Sequence, residues 1–149
     1  MNQMNILLVE DNDRMIELFE TAIEEWNENN VENNQCFECK IAKNSEGAFY
    51  LMEGHKFDAV VVDLRLPEIE DGKELAKHGN EFALSVVDKR GVPIVIVSAN
   101  TADLDSKLKQ MDAVTCISKT EGYGPVVNWL ADQWDMMNTL KEALSLIHI

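Results

Sequence analysis

Ala59-Val60-Val61-Val62-Asp63 is the stretch that decides the fold, a wholly apolar run that ends in an acid. A strand without polar residues on either face is typical of a parallel sheet that helices cover on both sides. Because parallel strands all point the same way, their last side chains gather at one sheet edge, where the ligands of open α/β sheets bind. Three further runs have the same form and polar ends: Ile6-Leu7-Leu8-Val9-Glu10-Asp11, Pro93-Ile94-Val95-Ile96-Val97-Ser98 and Val114-Thr115-Cys116-Ile117-Ser118-Lys119.

Between these runs the apolar pattern changes to a helical period, so strands and helices are predicted to alternate along the chain. The sequence predicts a single α/β domain over residues 1–149, with strands near 4–9, 36–42, 58–62, 93–98 and 113–117. Helices are predicted after residue 11, near 45–54, from residue 79, near 101–110 and over 125–146. The polar segments 27–35 and 68–78 are predicted to be long loops.

The composition limits the function. With 13 basic and 27 acidic residues the formal net charge is −14, so the surface repels phosphate backbones and anionic lipids. No apolar run approaches the ~20 residues of a membrane span, and no signal-peptide pattern follows Met1. We therefore expect a cytoplasmic protein without direct nucleic-acid or membrane contact. Cys36, Cys39 and Cys116 form no disulfide framework, and Cys36 and Cys39 lack further ligands at zinc-finger spacing, which favours ordinary thiols.

The four motifs resemble those of the receiver domain of two-component response regulators, over nearly the whole chain. Ile6-Leu7-Leu8-Val9-Glu10-Asp11-Asn12 is similar to the family's first strand with its acidic pair. Val61-Val62-Asp63-Leu64-Arg65-Leu66-Pro67 is similar to the phosphoacceptor strand, and Pro93-Ile94-Val95-Ile96-Val97-Ser98-Ala99 to the fourth strand with its hydroxyl. Lys119 follows Ser98 by 21 residues, close to the family interval. An acid such as Asp11 alone is more often a helix cap, but four signals in order are specific.

The resemblance implies a flavodoxin-like, doubly wound sheet of five parallel strands in the order 2-1-3-4-5 with helices on both faces. It also implies that Asp63 accepts a phosphoryl group from a sensor histidine kinase or a phosphotransfer protein. Lys119 would bind that group through its ammonium charge and Ser98 through its hydroxyl. Three acids at one place require a cation, for which Mg²⁺ or Mn²⁺ is suited. The implied metal-binding groups are Glu10 (largely through water), Asp11, Asp63 and the backbone carbonyl of Arg65.

Several positions depart from the family pattern. Cys116 stands where many receivers carry a tyrosine or phenylalanine switch, so the usual coupling between Ser98 and an aromatic side chain is expected to differ. Arg65 and Asn100 occupy positions where the family tunes hydrolysis, and Ala99 is the small residue that follows Ser98. Neither Arg65 nor Asn100 is a carboxylate that orients an attacking water. We therefore predict a long-lived phosphorylated state.

Segment 68–78 is predicted to be an insertion beside the site. The glycine that usually follows the phosphoacceptor loop is either Gly72 or Gly79, and counting back from Pro93 favours Gly79 as the start of the third helix. The charged residues of the insertion suit a solvated loop, and a surface for kinase recognition or gating is the alternative.

The last helix carries more apolar residues than one sheet face buries. Its predicted core residues are Val127, Leu130, Trp134, Met137 and Leu144. A second apolar set, namely Trp129, Met136, Leu140 and Ala143, predicts a homodimer or an effector contact, unless longer loops cover it.

The expected function is that of a signalling phosphoacceptor, which catalyses no reaction of other molecules. Three other functions are the alternatives. A haloacid-dehalogenase-like phosphatase needs a second acid two residues after its nucleophile, where Arg65 stands here. A flavodoxin needs a phosphate-binding loop after the first strand, where Glu10 and Asp11 repel phosphate. A pseudo-receiver that binds partners without phosphorylation is disfavoured by the intact set of Glu10, Asp11, Asp63, Ser98 and Lys119.

Overall fold

The computed structural model describes residues 2–147. Its strands are β1 (Asn2–Val9), β2 (Gln35–Ala42), β3 (Ala59–Asp63), β4 (Ile94–Ser98) and β5 (Val114–Ser118). Its helices are α1 (Asp13–Asn29), α2 (Ser45–Gly54), α3 (Ala76–Arg90), α4 (Ser106–Lys109) and α5 (Gly124–Ile147). The five strands are parallel and lie in the order β2-β1-β3-β4-β5, which confirms the predicted fold class.

Alternate residues of the central strands enter two separate cores. Ile6, Leu8 and Val61 face α1 and α5, whereas Val60 and Val62 face α2 and α3. All residues of β3 are buried because the sheet is covered on both faces. Within residues 2–147, no helix combines the length and the apolar character that crossing a bilayer requires.

The first connecting loop is shorter than predicted, because α1 continues to Asn29 and β2 begins at Gln35. The side chain of Asn27 donates to the carbonyl of Phe37 at 3.0 Å and accepts from the amide of Phe37 at 2.8 Å. Trp26 also packs against Phe37, with ring centroids 4.3 Å apart. These contacts hold the last turns of the helix against β2. The predicted loop over 27–35 is therefore wrong for residues 27–29, which are helical, and for Gln35, which is in β2.

The predicted start of the third helix at Gly79 is also wrong, since α3 begins at Ala76. Gly79 lies in its first turns because the helix crosses the loop after β3 there: a Cβ on Gly79 would stand 2.3 Å from the carbonyl oxygen of Leu64. Leu66 and Leu75 form an antiparallel bridge that closes the preceding loop. The inserted loop therefore ends at Leu75.

The segment predicted as one helix over 101–110 is a 3-10 turn, Thr101–Asp103, followed by the single turn of α4. Asn80 accounts for the break. Its side-chain Nδ2 donates to the backbone carbonyl of Asp103 at 2.8 Å, and its Oδ1 accepts from the backbone N–H of Asp105 at 2.9 Å. Both backbone groups would otherwise serve a continuous helix.

The last helix matches its prediction in extent but not in its core. Val127, Leu130 and Trp134 are buried and Met137 is partly buried, whereas Leu144 is 47% exposed. Met137 is the last residue of α5 that packs against the core, and residues 139–147 are exposed. The exposed apolar residues of the second half of α5 are Met136, Leu140, Ala143, Leu144, Leu146 and Ile147.

Candidate functional site

The site lies at the carboxyl edge of the sheet, where three acids come together. Glu10 and Asp11 follow the last residue of β1, and Asp63 is the last residue of the neighbouring strand β3. One carboxylate oxygen from each of the three lies within 4.8 Å of the others. Asn12 begins α1 as its N-cap by accepting from the amide of Met15 at 3.1 Å, so the turn after Asp11 is fixed.

Glu10 is the most unusual of the acids because it is 1% exposed and neither carboxylate oxygen has a hydrogen-bond partner. A buried carboxylate without hydrogen bonds is costly unless positive charge compensates it. Burial raises the pKa of Glu10 from 4.5 to about 8, the contact with Asp63 adds to the rise, and Lys119 opposes it. This donor set of buried oxygens fits a hard divalent cation such as Mg²⁺.

Asp11 lies nearer to solvent and its electrostatics involve a fourth acid. The pKa of Asp11 is raised to about 7. Partial burial is the largest cause, and the nearby carboxyl group of Glu74 is the second. Glu74 belongs to the inserted loop between Leu66 and Leu75. Four acidic side chains therefore lie at one edge of the sheet.

Lys119 brings a positive charge to this edge from the residue that follows β5. Its Nζ donates to Oδ2 of Asp63 at 2.9 Å and lies 3.5 Å from Oε1 of Glu10. Burial lowers the pKa of Lys119, but the hydrogen bond to Asp63 and the charge of Glu10 outweigh that effect, so the pKa is raised. The ammonium group is therefore held charged against the carboxylates.

A cavity of about 160 Å³ opens above these side chains. It is lined by Glu10, Asp11, Asn12, Asp63, Arg65, Glu74, Ser98, Ala99, Asp103 and Lys119. Such a cavity has room for a small anion and for a metal ion beside the buried acids. All the residues that the sequence singled out for phosphoryl transfer and metal binding lie on its wall, whereas Asn100 and Cys116 do not.

Ser98 is oriented by its own loop. Its hydroxyl donates to the carbonyl of Asn100 at 2.9 Å and accepts from the amide of Asn100 at 3.2 Å. The side chain of Asn100 accepts from the amide of Ala102, so Asn100 caps the 3-10 turn instead of facing the cavity. Cys116 is exposed on β5, the edge strand, two residues before the end of that strand.

Arg65 forms a bridge across the cavity mouth. Its guanidinium donates to both carboxylate oxygens of Asp103, at 2.7 and 3.0 Å. Such a two-bond pair joins the loop after β3 to the loop after β4 and fixes the arginine in a definite orientation. The side chain of Arg65 is thereby directed to Asp103, while the residue still lines the cavity.

Sequence reasoning missed two residues of this site. Asp103 lies in a segment predicted to be helical, and nothing in its spacing signals a partner for Arg65. Glu74 was one of several charged residues in a predicted solvated loop. The only sequence signal for Glu74 is its place in an insertion that follows β3.

The chain resembles known proteins in both sequence and fold. A family model described as the response regulator receiver domain matches residues 6–129. The chain is similar to the signal receiver domain of a putative Luxo repressor protein from Vibrio parahaemolyticus, with 17% identity, a TM-score of 0.70, and coverage of 95% of this chain and 97% of that chain. It is also similar to a CheY-like receiver domain from Methylobacillus flagellatus, with 20% identity, a TM-score of 0.60, and coverage of 85% and 98% respectively.

A third similar structure is the response regulator TrrA from Thermotoga maritima, solved in complex with Mg²⁺ and BeF. It shares 20% identity with a TM-score of 0.58 and covers 87% of this chain and 98% of that chain. At these identities the structural matches show the shared fold. No curated protein sequence matches the chain significantly.

Proposed function

Because this chain belongs to the response regulator receiver family, we propose that it accepts a phosphoryl group on Asp63 from a sensor histidine kinase or a phosphotransfer protein. The observation that carries the proposal is the arrangement around Asp63: a buried carboxylate hydrogen-bonded to Lys119 at 2.9 Å, with Glu10 and Asp11 beside it. Receiver domains are signalling domains, and the only reactions proposed for this one are its own phosphorylation and slow dephosphorylation.

In the proposed transfer, a carboxylate oxygen of Asp63 attacks the phosphorus of the donor. A bond between that oxygen and phosphorus forms while the bond from phosphorus to the donor nitrogen breaks, and the donor imidazole keeps the electron pair and takes up a proton. Lys119 neutralises charge on the transferred group, which is the main task of a protein in phosphoryl transfer. The cavity above Asp63 is large enough for the phosphoryl group.

The proposed cofactor is Mg²⁺ or Mn²⁺. The buried, unpartnered oxygens of Glu10 and the nearby oxygens of Asp11 and Asp63 fit such an ion. We propose Asp11, Asp63 and the backbone carbonyl of Arg65 as direct ligands, with Glu10 acting largely through water. When bound, the ion supplies positive charge next to the phosphoryl oxygens.

The proposed output is a change in the loop after β4. Ser98 exchanges its bond to Asn100 for one to the phosphoryl group, and Ala99 moves with it. The small side chain of Cys116 cannot change its burial as an aromatic switch would, so the signal is proposed to pass through the loop itself. Since Arg65 and Asn100 offer no carboxylate to an attacking water, the phosphorylated state is proposed to be long-lived.

We propose that residues 1–149 act as one receiver domain in the cytoplasm, where free cysteines stay reduced. The exposed apolar half of α5 is proposed to bind a second copy of the chain or an effector protein. With a net charge of −14, direct binding to nucleic acid or to an anionic membrane is not part of the proposal.

The test is intact-mass measurement after incubation with a small phosphodonor. The wild type is expected to gain one phosphoryl group with Mg²⁺ and none with EDTA, and Asp63→Asn is expected to gain none under either condition. Asp112→Asn, at the opposite edge of the sheet, is the matched control and should behave as the wild type. A wild type that stays unmodified with Mg²⁺ and with a histidine phosphotransfer donor would make this chain a pseudo-receiver.

A further inference from the structure

The inserted loop places Glu74 in the cavity that holds the candidate cation site. The receiver pattern assigns no role to this acid. Glu74 lines the same cavity as Glu10, Asp11 and Asp63. It lies close enough to Asp11 to raise the pKa of that residue. Two like charges in contact destabilise each other unless a proton or a cation lies between them. The loop therefore holds Glu74 at a position that is unfavourable without such a positive charge.

The loop is built to hold its position. Leu66 and Leu75 exchange backbone hydrogen bonds at 3.0 and 3.4 Å, so the residue directly after Glu74 is anchored. At the other end of the loop, the carbonyls of Pro67 and Glu68 accept from the first amides of α2 at 3.0 and 2.9 Å. A loop closed at its base and bonded to a helix end presents its side chains at a defined place.

A buried histidine strengthens this base. His78 is 7% exposed, and its Nδ1 lies 2.8 Å from the carbonyl oxygen of Leu66. Gly79 then lets α3 approach the backbone of Leu64 at a distance that no side chain would permit. The loop is thus fixed to the strand that carries Asp63 by contacts independent of its charged residues.

No basic side chain within residues 2–147 forms an ion pair with Glu74, although Arg65 lines the same cavity. Among the ion pairs within residues 2–147, none involves Glu74 or Asp11. The guanidinium of the cavity, that of Arg65, bonds to Asp103 through two nitrogens. The other cation of the cavity, Lys119, pairs with Asp63 and Glu10.

The oxygens of Glu10 provide the second observation. They are buried without hydrogen-bond partners beside Asp11 and Asp63. Lys119, whose Nζ lies 3.5 Å from Oε1 of Glu10, brings a single positive charge to these three carboxylates. We propose that Glu74 is a fourth carboxylate of the divalent-cation site, holding the ion or its bound water from the side of Asp11. This inference rests on the proposed function, because it assumes that Glu10, Asp11 and Asp63 bind the cation.

The function of the insertion follows from that assignment. A fourth carboxylate increases the attraction for a divalent ion, and the outer partners of metal sites typically contribute 10- to 100-fold in affinity. The loop that bears Glu74 therefore makes this receiver bind its cation more tightly than the three shared acids alone would. Cation binding also ties the inserted loop to the phosphoacceptor edge of the sheet.

The test is direct binding of Mn²⁺, followed by electron paramagnetic resonance of the free ion, without any phosphodonor. Glu74→Gln keeps the size of the side chain and removes its charge, and we expect it to weaken Mn²⁺ binding by about 10-fold. Glu70→Gln, an exposed acid of the same loop, is the matched control and should change binding by less than about twofold, since surface charges are screened. Far-UV circular dichroism checks that both variants fold.

The outcomes separate this inference from the proposed function. If Glu74→Gln binds Mn²⁺ as tightly as Glu70→Gln while Asp11→Asn loses binding, the fourth carboxylate is refuted and the metal site of the proposed function stands. If the wild type itself fails to bind Mn²⁺, both are refuted. A loss confined to Glu74→Gln and Asp11→Asn, with Glu70→Gln unchanged, supports the inference.

Discussion

Replacing Glu10 by glutamine should stabilise the metal-free protein and reduce its stabilisation by Mg²⁺. Glu10 is 1% exposed with both carboxylate oxygens unpartnered, and burial raises its pKa from 4.5 to about 8. A raised pKa means that the folded state holds this proton more tightly than the unfolded chain. The contribution of Glu10 to stability is therefore fully present below pH 4.5 and is lost as the pH rises towards 8.

The size of the effect follows from that shift. At pH 7 the carboxyl group of Glu10 is ionised in the unfolded chain but still favours its protonated form in the folded protein. This difference lowers the free energy of unfolding by about 3 kcal/mol relative to acidic pH, at ~1.4 kcal/mol per pKa unit. The glutamine carries no charge, but its buried amide would lack partners, at a cost of about 1 to 2 kcal/mol. The net gain is about 1 to 2 kcal/mol, or roughly 2 to 8 °C in Tm for a domain of this size.

Thermal unfolding by circular dichroism at pH 5 to 8, with EDTA or with Mg²⁺, measures both effects. In EDTA the Tm of the wild type should fall as the pH rises, and that of Glu10→Gln should fall less. Mg²⁺ at about 100 times its Kd should stabilise the wild type by about 3 kcal/mol and the variant by far less. Glu17→Gln, an exposed acid of α1, is the charge-matched control. A variant that is less stable than this control in EDTA, or equally stabilised by Mg²⁺, would refute the reasoning.

Three further changes test other parts of the structure. Gly79→Ala places a Cβ 2.3 Å from the carbonyl oxygen of Leu64 and should lower the free energy of unfolding in urea by about 1 to 3 kcal/mol, whereas Gly54→Ala, with open space around it, should not. Arg65→Glu supplies a carboxylate that orients water, so loss of the phosphoryl group, followed by intact mass, should accelerate at least about 10-fold, and an unchanged rate would contradict the predicted role of this position. Leu140→Lys adds a charge to the exposed half of α5. It should reduce any concentration-dependent increase in mass that light scattering detects with a phosphoryl analogue. A wild type that stays monomeric would leave an effector as the proposed partner.

The sequence predicted the sheet because each strand is a continuous apolar run with a polar end. That pattern is typical of parallel strands with helices on both faces, and the run from Ala59 to Asp63 alone indicates a central strand. The sequence also predicted which polar side chains meet, since the carboxyl ends of parallel strands share one edge.

The parts it missed depend on how separate segments of the chain pack against each other. The end of α1 is set by Asn27 bonding to Phe37, ten residues away. Leu144 is exposed because the packed part of α5 ends at Met137, which the period of a helix does not encode. Glu74 reaches the site only because Leu66 and Leu75 pair and close the loop. In each case tertiary packing overrides the local sequence pattern.

The central claim is that Asp63 is the residue that carries the phosphoryl group, and locating the modified residue tests it most directly. The wild type would be incubated with Mg²⁺ and a small phosphodonor, digested at acidic pH and analysed by tandem mass spectrometry. We predict a single modified site, at Asp63, and no modified peptide from Asp63→Asn. A phosphoryl group found on Ser98 or on any other residue, and retained in Asp63→Asn, would contradict the account.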